Sequence, residues 1–280
     1  MNKRKTTLAL AYLKDHPKSA SRSLEQNTAS EIAQFLADTP VPYTIPILTH
    51  MLPHVVARAC KLMPSESLTS IISPLEAVSI AAIFRYLPVQ IRQDLQAQLP
   101  ARKRHATTTL LGFNQNAVGS WMVPDAPALP SDGNGNQARS IIETMEEHQK
   151  TDYFFVIDRD RRLVGRIHFT DTLSLSPEQK ISSCLKTDCR ALNGRVSLTQ
   201  AAEHSHWDHY DVLPVVGPNN HYNGILRHVD LRRGLRHLSK MAGSHGSQAQ
   251  ANSNLSDYGH SLAAALLGMF HMLDSDTRSS

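Results

Sequence analysis

The densest run of side chains able to ligate or titrate is His204-Ser205-His206-Trp207-Asp208-His209, three imidazoles beside a carboxylate. Imidazole suits zinc, nickel or copper. On a helix, however, His204 and His206 point away from one another and Trp207 packs, so the run is expected to be a polar helix end and no metal ligand is assigned. His50 and His54 lie four apart, but Pro53 stands between them and starts a new helix, which leaves an exposed pair. Cys60, Cys184 and Cys189 are odd in number and lack zinc or disulfide spacing, so a reducing compartment, the cytoplasm, fits them. The chain carries no nucleophile elbow, phosphate loop or HExxH, and Gly133-Asn134-Gly135-Asn136 is a flexible turn. An enzyme is not expected.

Charge divides unevenly. Residues 1–115 hold 13 Lys and Arg against 7 Asp and Glu, and residues 116–280 hold 16 against 18, so the formal +4 is the sum of a basic and a slightly acidic half. The basic excess lies in Lys3-Arg4-Lys5 and Arg102-Lys103-Arg104-His105, with no interleaved aromatics, and nucleic acid is not an expected partner. No apolar run approaches the roughly 20 residues of a membrane helix. The longest, Leu262 to Leu273, reads as a short helix that folds back, joins a dimer or docks on a partner protein. Leu8 to Leu13 follows a basic start, but Lys14, Asp15, His16 and Pro17 stand where a signal peptide would need small residues.

The elements that must position any site fall into two kinds. From Glu31 to Asn116 the chain is punctuated by Pro53, Pro64, Pro74, Pro88 and Pro100, which divide it into helices of about two or three turns. Apolar residues recur at helical spacing: Val55, Val56, Ala59 and Leu62; Leu68, Ile71 and Ile72; Val78, Ala81, Ala82 and Phe84; Ile91, Leu95 and Leu99. Helices this short bury nothing alone, so stacked pairs must share one core in a small superhelical array.

Beyond residue 116 the chain repeats itself. Asp152 to Asp158 matches Asp211 to Gly217, Leu163 to Ile167 matches Tyr222 to Leu226, and Asp171 matches Asp230, all 59 residues apart. Gly165 and Gly224 each precede the aspartate by six. Upstream, Trp121-Met122 matches Cys184-Leu185 and Ala128-Leu129 matches Ala191-Leu192, 63 apart, and the four extra residues are placed in Ser131 to Asn136. Each unit reads as a short strand, a helix, two strands and a final helix starting near the aspartate. In the first unit a helix from Ala138 to His148 turns Ile141, Ile142 and Met145 inward. Two such units packed about a pseudo-twofold axis would leave two clefts.

The segments LVGRIHFTDTL and YNGILRHVDLR resemble the closing strand and helix start of a CBS domain, and VGSWMVPDAPAL and ISSCLKTDCRAL its opening. With the proline-punctuated array before them, residues 31–238 are similar to the cytosolic part of the MgtE-type magnesium transporter family. That resemblance implies an α+β chain, an all-α superhelical array followed by a tandem CBS pair, that dimerises through the CBS units. It implies adenine nucleotide binding in the clefts, with Asp171 and Asp230 as ribose ligands. The family's hydroxyl residue three positions before each aspartate is replaced here by His168 and Arg227, which could meet a phosphate, while both aspartates could instead be helix caps. The family also implies Mg2+ as a ligand. Glu143, Glu146, Glu147, Asp152, Asp158 and Asp160 are the densest acidic group, readable as a solvated face or a weak Mg2+ site.

The resulting division is a basic tail over 1–30, an MgtE-N-like helical domain over 31–116, CBS units over 117–180 and 181–238, and a linker with a short apolar helix over 239–280. The expected function is a cytoplasmic, non-catalytic regulator that senses an adenine nucleotide or Mg2+ through its CBS pair and reports by protein contact. The alternative is a constitutive scaffold with degenerate clefts.

Overall fold

The computed structural model describes residues 2–124, 126–145 and 151–244, which divide into two compact units. The expected apolar helix Leu262–Leu273, and Glu146, Glu147 and His148 of the expected first CBS helix, lie outside the described residues.

The first unit is helical: α1 (Asn2–Asp15), α2 (Pro17–Leu24), α3 (Ala29–Asp38), α4 (Val41–His50), α5 (Pro53–Cys60), α6 (Ser65–Ile72), α7 (Ala77–Phe84), α8 (Val89–Gln98) and the start of α9 (Ala101–Leu111). Proline sets the boundaries as the sequence suggests, occupying the first turn of α2 and α5 and the cap position before α6 and α8. At α3 the start is fixed by a reciprocal capping box, the Thr28 hydroxyl accepting from the Glu31 N–H while the Glu31 carboxylate accepts from the Thr28 N–H. From α2 to α8, even-numbered helices pack on even and odd on odd, so each helix rests on the second one after it. That ladder is how two-turn helices come to share one core. Ile32, Ile47, Val56, Ile72 and Phe84 are completely buried along it.

Two expectations for this unit are corrected. Residues 1–30 are not a basic tail: α1 and α2 occupy most of the segment, and Leu13, Ala20 and Leu24 are fully buried. Their apolar residues are spaced for a helix face, which the flanking Lys and Arg obscured. Leu62, expected inward, is 59% exposed because α5 has already ended at Cys60.

The second unit holds β1 (Val123–Pro124), β2 (Leu129–Pro130), α10 (Gly135–Glu143), β3 (Tyr153–Ile157), β4 (Leu163–His168) and α11 (Phe169–Ser174). The same order returns as β5 (Leu192–Asn193), α12 (Leu198–Ala202), β6 (Val212–Val216), β7 (Tyr222–Arg227) and α13 (His228–Ser244), of which the part up to Leu238 belongs to this unit. One sheet runs β1-β7-β6-β5 and the other β2-β3-β4. The copies exchange edges. β1, from the opening of the first repeat, pairs antiparallel with the closing strand of the second, Val123 opposite Ile225. Reciprocally, Lys186, from the opening of the second repeat, exchanges backbone hydrogen bonds of 2.8 and 2.9 Å with Arg166 on β4.

The recurring glycines follow from that exchange. A Cβ on Gly165 would stand 2.4 Å from the Lys186 carbonyl oxygen, and one on Gly224 would stand 2.1 Å from that of Val123. Gly224 also has φ +147°, a region closed to side chains. Both hairpins carry a register shift at the same place, between Val156 and Ile157 and between Val215 and Val216.

The four additional residues of the first repeat are not in Ser131 to Asn136. Asn134 caps α10 with Gln137 as its partner, and Ser197 caps α12 by accepting from Gln200, so the 63-residue offset persists through both caps. The extra length comes later, where α10 has 9 residues and α12 has 5. Ile141, Ile142 and Met145 do pack into the core with Leu129, Phe154 and Ile167. At the far end, α13 continues helically to Ser244, past the linker start expected at Ser239.

Candidate functional site

β3, β4, the segment after Lys186 and the turn before β6 converge on a cleft inside the second unit, with about 260 Å³ of space including its open mouth. Tyr153 and Phe155 alternate to this face of β3 and Arg166 reaches it from β4. Asp188, Cys189 and Arg190 form one rim; His206 and Tyr210 form another, above Val212–Pro214 at the start of β6.

Arg166 dominates the interior. Its guanidinium carbon lies 4.8 Å from the Tyr153 ring centroid and 4.4 Å from that of Tyr210. The two rings meet at 82° with centroids 5.4 Å apart, so the cation sits in an aromatic corner, attracted by both π faces. Nη2 donates to the Asp188 carboxylate at 3.2 Å. Desolvation works against the charge of Arg166, but interactions with Tyr210 and Asp188 outweigh it and its pKa is raised. The residue is 8% exposed, and its Nε is buried with no hydrogen-bond partner among the described residues. Cys189 beside it is a neutral thiol, pushed up to about 11 by burial.

His206 stands in the short 3-10 turn Ser205–Asp208. Burial lowers its pKa, and the nearby positive charges of His204, Arg190, Arg166 and His209 lower it further. The turn also changes the expected geometry of this histidine run. His204 and His206 do not face apart: His204 Nδ1 caps the turn by accepting from the His206 N–H at 3.4 Å, and their rings are 5.0 Å apart. Trp207 packs as expected, stacked on His228 with Nε1 donating to the Ala201 carbonyl. Among the described residues no three His, Cys, Asp or Glu are placed to hold a metal ion.

The four residues singled out from sequence sit at the ends of the closing strands. His168 is the N-cap of α11: Nδ1 accepts from the Thr170 N–H at 3.3 Å and lies 2.7 Å from the Thr170 hydroxyl. The imidazole therefore does the capping that a serine or threonine would do. Asp171 follows in the first turn, half-buried. In the second repeat Arg227 Nε donates to Asp230 Oδ2 at 2.5 Å, and the Asp230 side chain is only 6% exposed. The structure thus brings Arg227, half-buried, together with the buried Asp230. None of the four lines the cleft around Arg166, although the His168 ring packs edge-on against Tyr153 at 4.9 Å.

Of the acidic group, Asp158 and Asp160 are engaged by their own turn. Asp158 accepts the N–H of Asp160 and of Arg162, Asp160 lies 3.6 Å from Arg162, and Asp132 pairs with Arg159 at 2.9 Å, which lowers the Asp132 pKa. These carboxylates organise a turn with cationic partners beside them.

The repeat pattern places Arg166 within a strand and does not by itself mark it as a site. The signal was present: 59 residues on, the matching position is Ile225, so one copy of the repeat places a charge where the other buries an aliphatic side chain.

Residues 15–116 match the family described as the MgtE intracellular N domain. The crystal structure of the cytosolic domain of the Mg2+ channel MgtE in complex with ATP superimposes with a TM-score of 0.67 at 19% identity, covering 80% of this chain and 92% of that one. The soluble part of a magnesium transporter gives 0.56 at 13% identity, covering 88% of this chain and 100% of that one. No curated protein matches the sequence. No described helix is long and apolar enough to cross a membrane. The chain is thus similar in fold, over most of its length, to the cytosolic domain of MgtE, and its residues 15–116 match the MgtE intracellular N domain.

Proposed function

We propose that this chain is a cytoplasmic, non-catalytic regulator whose CBS pair senses an adenine nucleotide and passes the occupancy of its cleft to a partner by protein contact, acting as a homodimer through the CBS units. The observation that carries this reading is Arg166: a charged, nearly buried guanidinium, held in an aromatic corner and facing a cleft, is a poor choice for stability and a good one for an anionic ligand with a ring. A similar fold with ATP bound supports the ligand class. The enclosed space is only about 10 Å³, far below the roughly 300–1,000 Å³ of most ligand pockets, so a nucleotide would lie mainly in the open mouth. Asp171, half-exposed and without the arginine that closes Asp230, is the ribose-binding candidate.

The scaffold alternative draws support from the second repeat, where Arg227 already occupies the Asp230 carboxylate. Calorimetry and thermal shift with ATP, ADP and AMP, each with and without Mg2+, separate the two. A sensor gains melting temperature with at least one nucleotide, and Asp171→Ala weakens that response more than Asp230→Ala does. No nucleotide response at all would leave the scaffold.

A further inference from the structure

Two arginines and a histidine from separate elements reach the same cleft: Arg166 from β4, Arg190 from the opening segment of the second repeat, and His206 from the turn before β6. Arg166 is 92% buried by its 8% exposure, yet its Nε N–H has no acceptor among the described residues. Asp188 takes Nη2 only, and its own side chain is 74% exposed, so it neutralises the guanidinium incompletely. A buried donor with an unfilled valence calls for an oxygen.

We propose that Arg166, Arg190 and His206 form a seat for a tetrahedral dianion, a phosphate group, and that His206 holds it as the imidazolium. This rests on the reading that the cleft takes a ligand, and it specifies the charge and protonation that the ligand finds there.

The groups facing His206 make the coupling. On its own turn are His204, His209 and Tyr210, with Asp208 exposed at the end; from the other elements come Arg166, Arg190, Asp188, Cys189 and Tyr153. The two arginines and two histidines disfavour a further positive charge, and the Cys189 thiol, at about 11, supplies no negative one near neutrality. An anion between Arg166 and His206 offsets that repulsion. Binding therefore promotes protonation of His206, and protonation promotes binding by the same factor. At the matching position of the second repeat stands Ile225, which cannot hold an anion.

The test uses the full chain with 15N-labelled histidine, following the His206 ring by NMR between pH 5.5 and 8 at constant ionic strength. Sulfate, doubly charged throughout this range, is compared with chloride, and ATP forms a second arm. Sulfate is expected to raise the His206 midpoint by about one unit, equivalent to roughly tenfold tighter binding to the protonated form. Arg166→Gln should abolish the shift; Arg166→Lys, which keeps the charge and loses the fork, should retain only part of it and serves where Gln fails to fold. A midpoint unmoved by sulfate and by ATP overturns the seat, as does an undiminished shift in the Arg166 variants. ATP binding seen by calorimetry without any His206 shift would sink the seat and spare the nucleotide reading. A sulfate shift with no ATP binding would support the seat and sink that reading.

Discussion

Arg166 and Ile225 occupy equivalent positions in two copies of one repeat, at matching places in β4 and β7, and both are buried. One carries a cation into an aromatic corner, while the other contributes to an apolar interior. At the strand ends the contrast is repeated in another form: His168 caps its helix and leaves Asp171 half-exposed, whereas Arg227 neutralises the buried Asp230. A repeated backbone therefore keeps the same glycines, register shifts and helix starts, while the side chains at the functional positions diverge. The first copy supplies a charged, accessible surface to its cleft, and the second has converted the corresponding groups to internal structure.

That contrast can be broken at several points. The largest loss is expected for Arg227→Met, which removes the guanidinium from the buried Asp230 carboxylate and should cost about 3 kcal/mol in urea denaturation, whereas Arg227→Met with Asp230→Leu should recover most of it. Asp171→Ala, at the equivalent place in the first copy, should leave the urea midpoint almost unchanged. Next is Gly224→Ala, which combines a 2.1 Å approach to the Val123 carbonyl with a φ of +147° and should cost nearly as much. Gly165→Ala meets Lys186 at 2.4 Å without the dihedral penalty and should cost less, so equal losses would deny the backbone asymmetry.

A smaller effect follows from His206 in the absence of anion. Its folded-state pKa lies below its ordinary value of 6.5, so between the two values the unfolded chain binds more protons than the folded one. Its contribution is complete above about pH 6.5 and is lost as the pH falls through the lowered folded value. Thermal unfolding in chloride should therefore show a fall in melting temperature on acidification that is shallower in His206→Gln. Smallest of all, Asp132→Asn removes an ion pair whose Arg159 side chain is 88% exposed, and no change in the urea midpoint is expected.

The parts legible in sequence were those written in spacing. Prolines at short intervals marked α5, α6 and α8, and the Gly165–Asp171 and Gly224–Asp230 intervals marked the two hairpins with their helix starts. What escaped depended on chain segments far apart in sequence. Arg166 meets Asp188 across 22 positions and Tyr210 across 44, and no local pattern announces an aromatic corner assembled from two copies of a repeat. The helical start of the chain was hidden for a different reason: Lys3, Arg4 and Lys5 attracted attention to charge, although Leu13 and Leu24 were the residues to be buried. The placement of the four extra residues erred because a glycine-rich stretch looked free to vary, whereas Gly135 lies against the Ser176 carbonyl and Asn134 is a cap.

The exchanged edges have a consequence for autonomy. An isolated repeat would possess an opening segment with no strand to receive it and a closing strand with an open side, so each would be both the lock and the key for another copy. Two such fragments would meet their needs by exchanging those segments across a twofold axis, and the tandem chain is in effect that dimer with a covalent tether. Its stability then contains an effective-concentration contribution set by the tether, which severing the chain between the repeats would remove without disturbing a single contact.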